Sequence, residues 1–69
     1  MKTLKKIGSN IREKRIECGY TQEELAFEAD VHRTYIGAVE RGEKNISVIS
    51  LAKIAKALKT NVSELTKGI

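Results

Sequence analysis

Apolar residues near the start of the chain recur at Leu4, Ile7, Ile11 and Cys18, with Arg15 among them, at intervals of three and four. That spacing makes one face of a helix, and Gly19 predicts its stop. Thr21 opens a second helix. Thr21 and Glu24 have the spacing of a capping box, in which hydroxyl and carboxylate each take one free backbone amide. Leu25, Ala26 and Ala29 form its inner face, and the two alanines let another helix come close. Asp30, Val31 and His32 read as a turn, since aspartate tolerates a left-handed backbone better than most residues. A third helix runs from about Arg33 to Arg41, with Ile36, Val39 and Glu40 inward and Arg33 and Thr34 outward, and Gly42 ends it. Glu43 to Ile46 reads as a loop. Ser47 caps a fourth helix with Val48, Leu51, Ile54, Ala55 and Leu58 inside. Ile49 lies off that stripe, and Lys53, Lys56 and Lys59 stand in water. Asn61 and Glu64 repeat the capping-box spacing before a short fifth helix carrying Val62 and Leu65, and Lys67 to Ile69 end the chain. Val, Ile and Thr never alternate with polar residues over strand length, and proline is absent. The pattern predicts an all-α, five-helix bundle.

Two charges interrupt this pattern. Arg15 falls in the apolar stripe of the first helix and Glu40 in that of the third. A buried charge without a partner is very costly, so the two are expected to pair as a structural ion pair.

Composition narrows the function classes. With 69 residues the chain is expected to form one domain with a small core. Its one cysteine, Cys18, permits no internal disulfide. Neither metal-ligand spacing nor a small-molecule or cofactor motif is evident. No nucleophile–base pair, paired carboxylates or phosphate-cradling glycine loop points to an enzyme. The segment from Met1 to Asn10 lacks a signal-like apolar run, and nothing later is long enough to cross a membrane. A cytoplasmic location is expected. The formal charge of +4 permits a nucleic-acid partner without requiring one.

The segment from Thr21 to Arg41 gives that charge a use. A short helix with a polar outer face, braced by its neighbour, suits the DNA major groove. Arg33, at the start of the third helix, can donate two hydrogen bonds to a guanine edge, and Thr34 offers a hydroxyl and a methyl beside it. Tyr35 and His32 are candidates for phosphate. Arg41, Lys44, Asn45 and Ser47 follow the helix and can hold the sugar–phosphate backbone, which positions without reading sequence. Glu23, Glu24, Glu28 and Asp30 would be repelled by phosphate, so most are expected to face away. Ile49, Val62, Leu65 and Ile69 exceed the evident needs of the core and predict a two-fold dimer interface near the C-terminus. Such a dimer would set two recognition helices about one DNA turn apart on a palindromic site.

The segment TQEELAFEADVHRTYIGAVERG resembles the helix-turn-helix of the phage repressor and Cro-like DNA-binding proteins. IREKRIECGYTQEELA and ISVISLAKIAKALKTNVSEL extend the likeness on either side, in the order and spacing of that family. Within it, HRTYIGAVERGEKNIS looks most like the controller proteins of restriction–modification systems. The resemblance implies a homodimeric transcription regulator acting on double-stranded DNA. It implies a phosphate contact for Gln22, at the first turn of the second helix, and a contact of the acidic cluster with RNA polymerase. Two positions depart from the family: Asp30 stands where glycine is common, and Gly37 where a side chain often reads a base. Two other readings remain at this point. One is a phage-type repressor or an antitoxin of the same fold, although no toxin-binding extension is evident. The other is a protein-interaction module that has lost DNA binding.

Overall fold

The computed structural model describes residues 2–69. Its helices are α1 (Lys2–Glu17), α2 (Gln22–Ala29), α3 (Arg33–Glu40), α4 (Val48–Ala57) and α5 (Val62–Leu65). No strand occurs among the described residues.

Local chemistry sets the ends of these helices. Thr21, His32, Ser47 and Asn61 precede α2 to α5 in extended conformation, and each side chain accepts a backbone N–H of the helix it opens. The Thr21–Glu24 box is complete, with bonds of 3.0 and 2.8 Å. The Asn61 box is half made: Asn61 Oδ1 accepts the Glu64 amide at 2.9 Å, with no return bond from the Glu64 side chain among the described residues. Helices α1 to α4 all stop the same way. A left-handed residue follows (Gly19, Asp30, Gly42 or Lys59), and the next amide reaches back five residues. Those closing bonds run from Tyr20 to Arg15, Val31 to Ala26, Glu43 to Ala38 and Thr60 to Ala55, at 2.9–3.1 Å.

Helix α1 packs on α3 and α5, α2 on α3 and α4, and α4 on α5. Ile11, Leu25, Ile36, Ile54, Leu58 and Leu65 are the large side chains at the centre. Gly8 sets the approach of α1 to α3. A Cβ there would overlap the carbonyl oxygens of Val39 and Glu40, at 2.7 Å from the latter. The absent side chain therefore lets the α1 backbone lie directly on the end of the third helix. Asn10 ties the other side of α1 to the chain's end, donating to the carbonyls of Leu65 and Lys67 at 3.0 and 2.8 Å.

The packing corrects several expectations. Val48 is 78 % exposed rather than on the inner face of α4. It opens the first turn, which overhangs the edge of the core, and Ile46 packs against the core from the loop. Cys18 lies beyond the last residue of α1 and is exposed, with its Sγ 3.5 Å from the Leu58 carbonyl oxygen. Leu65 is a core residue at 1 % exposure, and Val62 packs partly buried against the same core, so α5 is chiefly a lid on that core. The helix of Val62 ends at Leu65, and Ile69 does not extend it. Lys53 is tethered to α2, its ammonium donating to the Asp30 carbonyl at 3.0 Å.

Candidate nucleic-acid interface

The third helix is held from its buried side. Arg15 Nε and Nη2 donate to Glu40 Oε2 and Oε1 at 2.7 and 3.0 Å, and Arg15 Nη1 donates to the Tyr20 carbonyl at 2.9 Å. Their side chains are 12 % and 2 % exposed. The hydrogen bond to Glu40 raises the Arg15 pKa above its ordinary value; burial opposes this and the charge of Glu40 adds to it. No buried side-chain N or O atom lacks a partner among the described residues. This is the condition under which a buried pair is tolerable.

Gln22 joins the network. Its side-chain amide donates to Glu40 Oε1 at 3.0 Å. Thus the residue implied as a phosphate contact is also fixed to the C-terminal end of α3, with its second amide hydrogen free to donate outward. The inner lock and the outer face share one carboxylate.

Gln22, Arg33, Thr34 and Arg41 come together with Glu23 and Gly37 around one hollow of about 350 Å³. Gly37 is its floor. A Cβ there would stand 3.2 Å from Arg41 Nη1 and 3.4 Å from Gln22 Oε1. The missing side chain lets an arginine and a glutamine from either side close over the helix. Arg33 and Glu23 face each other across the rim at 3.7 Å, with both side chains well exposed. Glu23 therefore belongs to this face, an exception to the expectation that most of the acidic residues point away. Glu24 caps its own helix.

His32 has a local duty that its sequence position did not reveal. Its Nδ1 accepts the Thr34 amide at 3.3 Å and lies 2.8 Å from Thr34 Oγ1. An amide can only donate, so Nδ1 accepts and the neutral ring carries its proton on Nε2. The cap occupies one nitrogen and leaves an N–H donor on the other. Thr34 is correspondingly pinned through its hydroxyl. Tyr35 is half-buried and packs against the core.

Arg41, Lys44, Asn45 and Ser47 are all exposed after α3. Arg41 Nε pairs with Glu43 Oε1 at 3.0 Å on the surface. Ser47 Oγ accepts the Ser50 amide at 3.0 Å as the cap of α4. Of the residues expected at a dimer interface, Ile49 and Ile69 are 75 % and 64 % exposed, whereas Leu65 has almost no surface to offer. The pattern missed Gly8 and Asn10, whose partners are far away in sequence, and exposed Phe27, which belongs to no inner stripe.

A short helix thus presents Arg33 and Thr34 outward, pinned at its start by a cap and at its end by a buried ion pair. A helix-turn-helix family model matches residues 11–65, the span containing this arrangement. The chain belongs to the helix-turn-helix family. Control protein C.BamHI of Bacillus amyloliquefaciens is 44 % identical over 59 residues, covering 84 % of this chain and 73 % of that protein. Control protein C.SmaI of Serratia marcescens is 44 % identical over 59 residues, covering 86 % and 70 %. The crystal structure of the restriction-modification controller protein C.AhdI from Aeromonas hydrophila superposes with a TM-score of 0.92 at 42 % identity, covering 94 % of this chain and 98 % of that one. Among helix-turn-helix proteins, then, this one is a DNA-binding transcription regulator. None of its described helices is long and apolar enough to cross a membrane.

Proposed function

We propose that this regulator is the controller protein of a restriction–modification system, working in the cytoplasm as a homodimer on palindromic DNA. The observation that carries the reading is the outward pair Arg33 and Thr34 on a helix locked from behind by Arg15 and Glu40. Arg33 donates to a guanine edge, and the methyl of Thr34, whose hydroxyl is turned to His32, packs on a neighbouring base. Gln22, His32 Nε2, Arg41, Lys44 and Asn45 hold the phosphates on either side, with Tyr35 and Ser47 at the margin. Ile49 and Ile69, with the edge of Val62, supply apolar surface for the two-fold contact. RNA polymerase is the partner when the protein activates transcription. Relatives named control or controller proteins support the regulatory setting over a phage repressor or an antitoxin.

Selection of binding sites from random DNA, followed by gel shifts with Arg33→Ala, tests the reading. The expected result is a palindromic consensus whose preference over random DNA falls about 10- to 100-fold in the variant, equivalent to losing one bidentate base contact. The helical circular dichroism spectrum stays unchanged. Retention of full preference by Arg33→Ala would remove Arg33 from base reading.

A further inference from the structure

Gly42 follows α3 with a φ of 74°, and it meets a second demand there. A Cβ on it would stand 2.6 Å from Lys5 Cγ and 2.9 Å from Lys5 Cα. The start of α1 therefore lies directly on this turn, and the stem of Lys5 runs over the residue between Arg41 and Glu43. Gly8, about one turn further along α1, makes the same close approach to the carbonyls of Val39 and Glu40. Lys5 is exposed and joins no ion pair among the described residues. Glu43, the carboxylate of the turn, is already paired with Arg41. The neighbouring lysines face elsewhere. Lys2 and Lys6, four apart on one side of the helix, line a hollow with Gly68 and Ile69, and the Lys6 stem lies against Gly68. Of these three lysines, Lys5 is the one set beside the end of α3.

We propose that Lys5 is a further phosphate contact of the DNA interface, made from α1, outside the helix-turn-helix itself. The proposal rests on the reading of Arg41, Lys44 and Asn45 as phosphate contacts. Lys5 lies against the turn that joins Arg41 to Lys44, so a strand held by those two passes within the sweep of its ammonium. Lys5, Arg41 and Lys44 are three cations around a turn with one carboxylate, and the excess suits a phosphate. A lysine is a compact charge with three donors on a flexible stem, so it grips a phosphate without demanding a fixed geometry. Such a contact adds affinity and carries no base information. It holds the far end of α3 to the strand while Arg33 reads bases at the near end. A cation beside a helix C-terminus also steadies that helix through its dipole, so DNA binding and stability have to be read separately.

Fluorescence anisotropy across a salt series, on the selected site and on random DNA, tests the proposal with Lys5→Ala, Lys5→Arg, Lys6→Ala and Lys44→Ala. Lys5→Ala is expected to weaken binding about equally on both DNAs and to lower the slope of log affinity against log salt by about 1. Its deficit against the natural protein then shrinks about threefold between about 50 and about 200 mM salt. Lys5→Arg keeps the slope. Lys6→Ala leaves it unchanged, because that ammonium lies on the Gly68 side of α1. Urea denaturation checks that each variant is folded under the assay conditions. An unchanged slope in Lys5→Ala, an equal drop in Lys6→Ala, or a loss confined to the selected site each overturns the proposal. Lys44→Ala separates two failures. If it lowers the slope and Lys5→Ala does not, the α1 contact alone falls; if neither does, the reading of this turn as a phosphate-binding face falls with it.

Discussion

Glu40 is one carboxylate shared by two tasks. It receives two hydrogen bonds from Arg15, which holds the fold, and one from Gln22, which borders the outward hollow. Removing it strands the Arg15 guanidinium at a nearly buried position. Glu40→Ala is expected to lower the free energy of unfolding by about 3–5 kcal/mol, measured by urea denaturation. The double variant Arg15→Met/Glu40→Met should lose much less, because no charge is left unpaired. Arg15's pKa is raised in the folded protein. Its stabilisation is therefore complete below the unfolded pKa and lost only as pH rises through the folded one. Stability accordingly gains no arginine-borne pH dependence near neutrality. Glu23 pairs with Arg33 on the surface at 3.7 Å, so with Arg33 as the proposed base reader its carboxylate would compete with DNA for that guanidinium and repel phosphate. Glu23→Gln should tighten binding to all sequences by about two- to fivefold at low salt, in keeping with a weak exposed pair. A gel-shift titration that shows no change would exclude such competition.

At the scale of the element, what the sequence made readable was local. Thr21 and Ser47 sit within three residues of the amides they cap, so each announced its helix. Arg15 and Glu40 were also readable despite their separation, because a charge inside an apolar stripe demands a partner wherever that partner lies. The exposed Val48, the buried Leu65 and the tie from Asn10 were not readable. Each depends on where a different helix ends in space, and helical periodicity carries no such information. Lys59 is a similar case: no turn residue marks it, yet its φ is 57° in the stop that closes α4. A lysine Cβ is crowded there, whereas glycine adopts this conformation freely, at the cost of a more flexible unfolded chain. Lys59→Gly should raise stability by about 1 kcal/mol, visible as a higher urea midpoint with an unchanged slope.

At the scale of the whole molecule, the net charge of +4 is unevenly spread. The hollow at α3 and the following loop carry Arg33, Arg41 and Lys44, while the outer face of α2 is acidic. The candidate site was legible as a segment, because the turn and its flanking helices are continuous in sequence. Its limits were not, since Glu23 joins it only through the packing of α2 on α3. A phosphate contact and a base contact should separate by salt. Lys44→Ala is expected to weaken binding about equally on selected and random DNA, and to lower the slope of log affinity against log salt by about 1. A loss confined to the selected site would make Lys44 a base reader instead. The inward lock of α3 has a final consequence, for how such a protein acquires new targets. The outward positions 33 and 34 bear none of the fold's buried charge, so their residues can be exchanged without dismantling the helix behind them. Each has a surface partner: Thr34 is joined to His32, and Arg33 faces Glu23 at 3.7 Å. With the base-reading roles proposed above, transplanting a relative's operator preference onto this chain calls for moving residues 32 and 34 as a unit, and residue 33 together with its partner at 23.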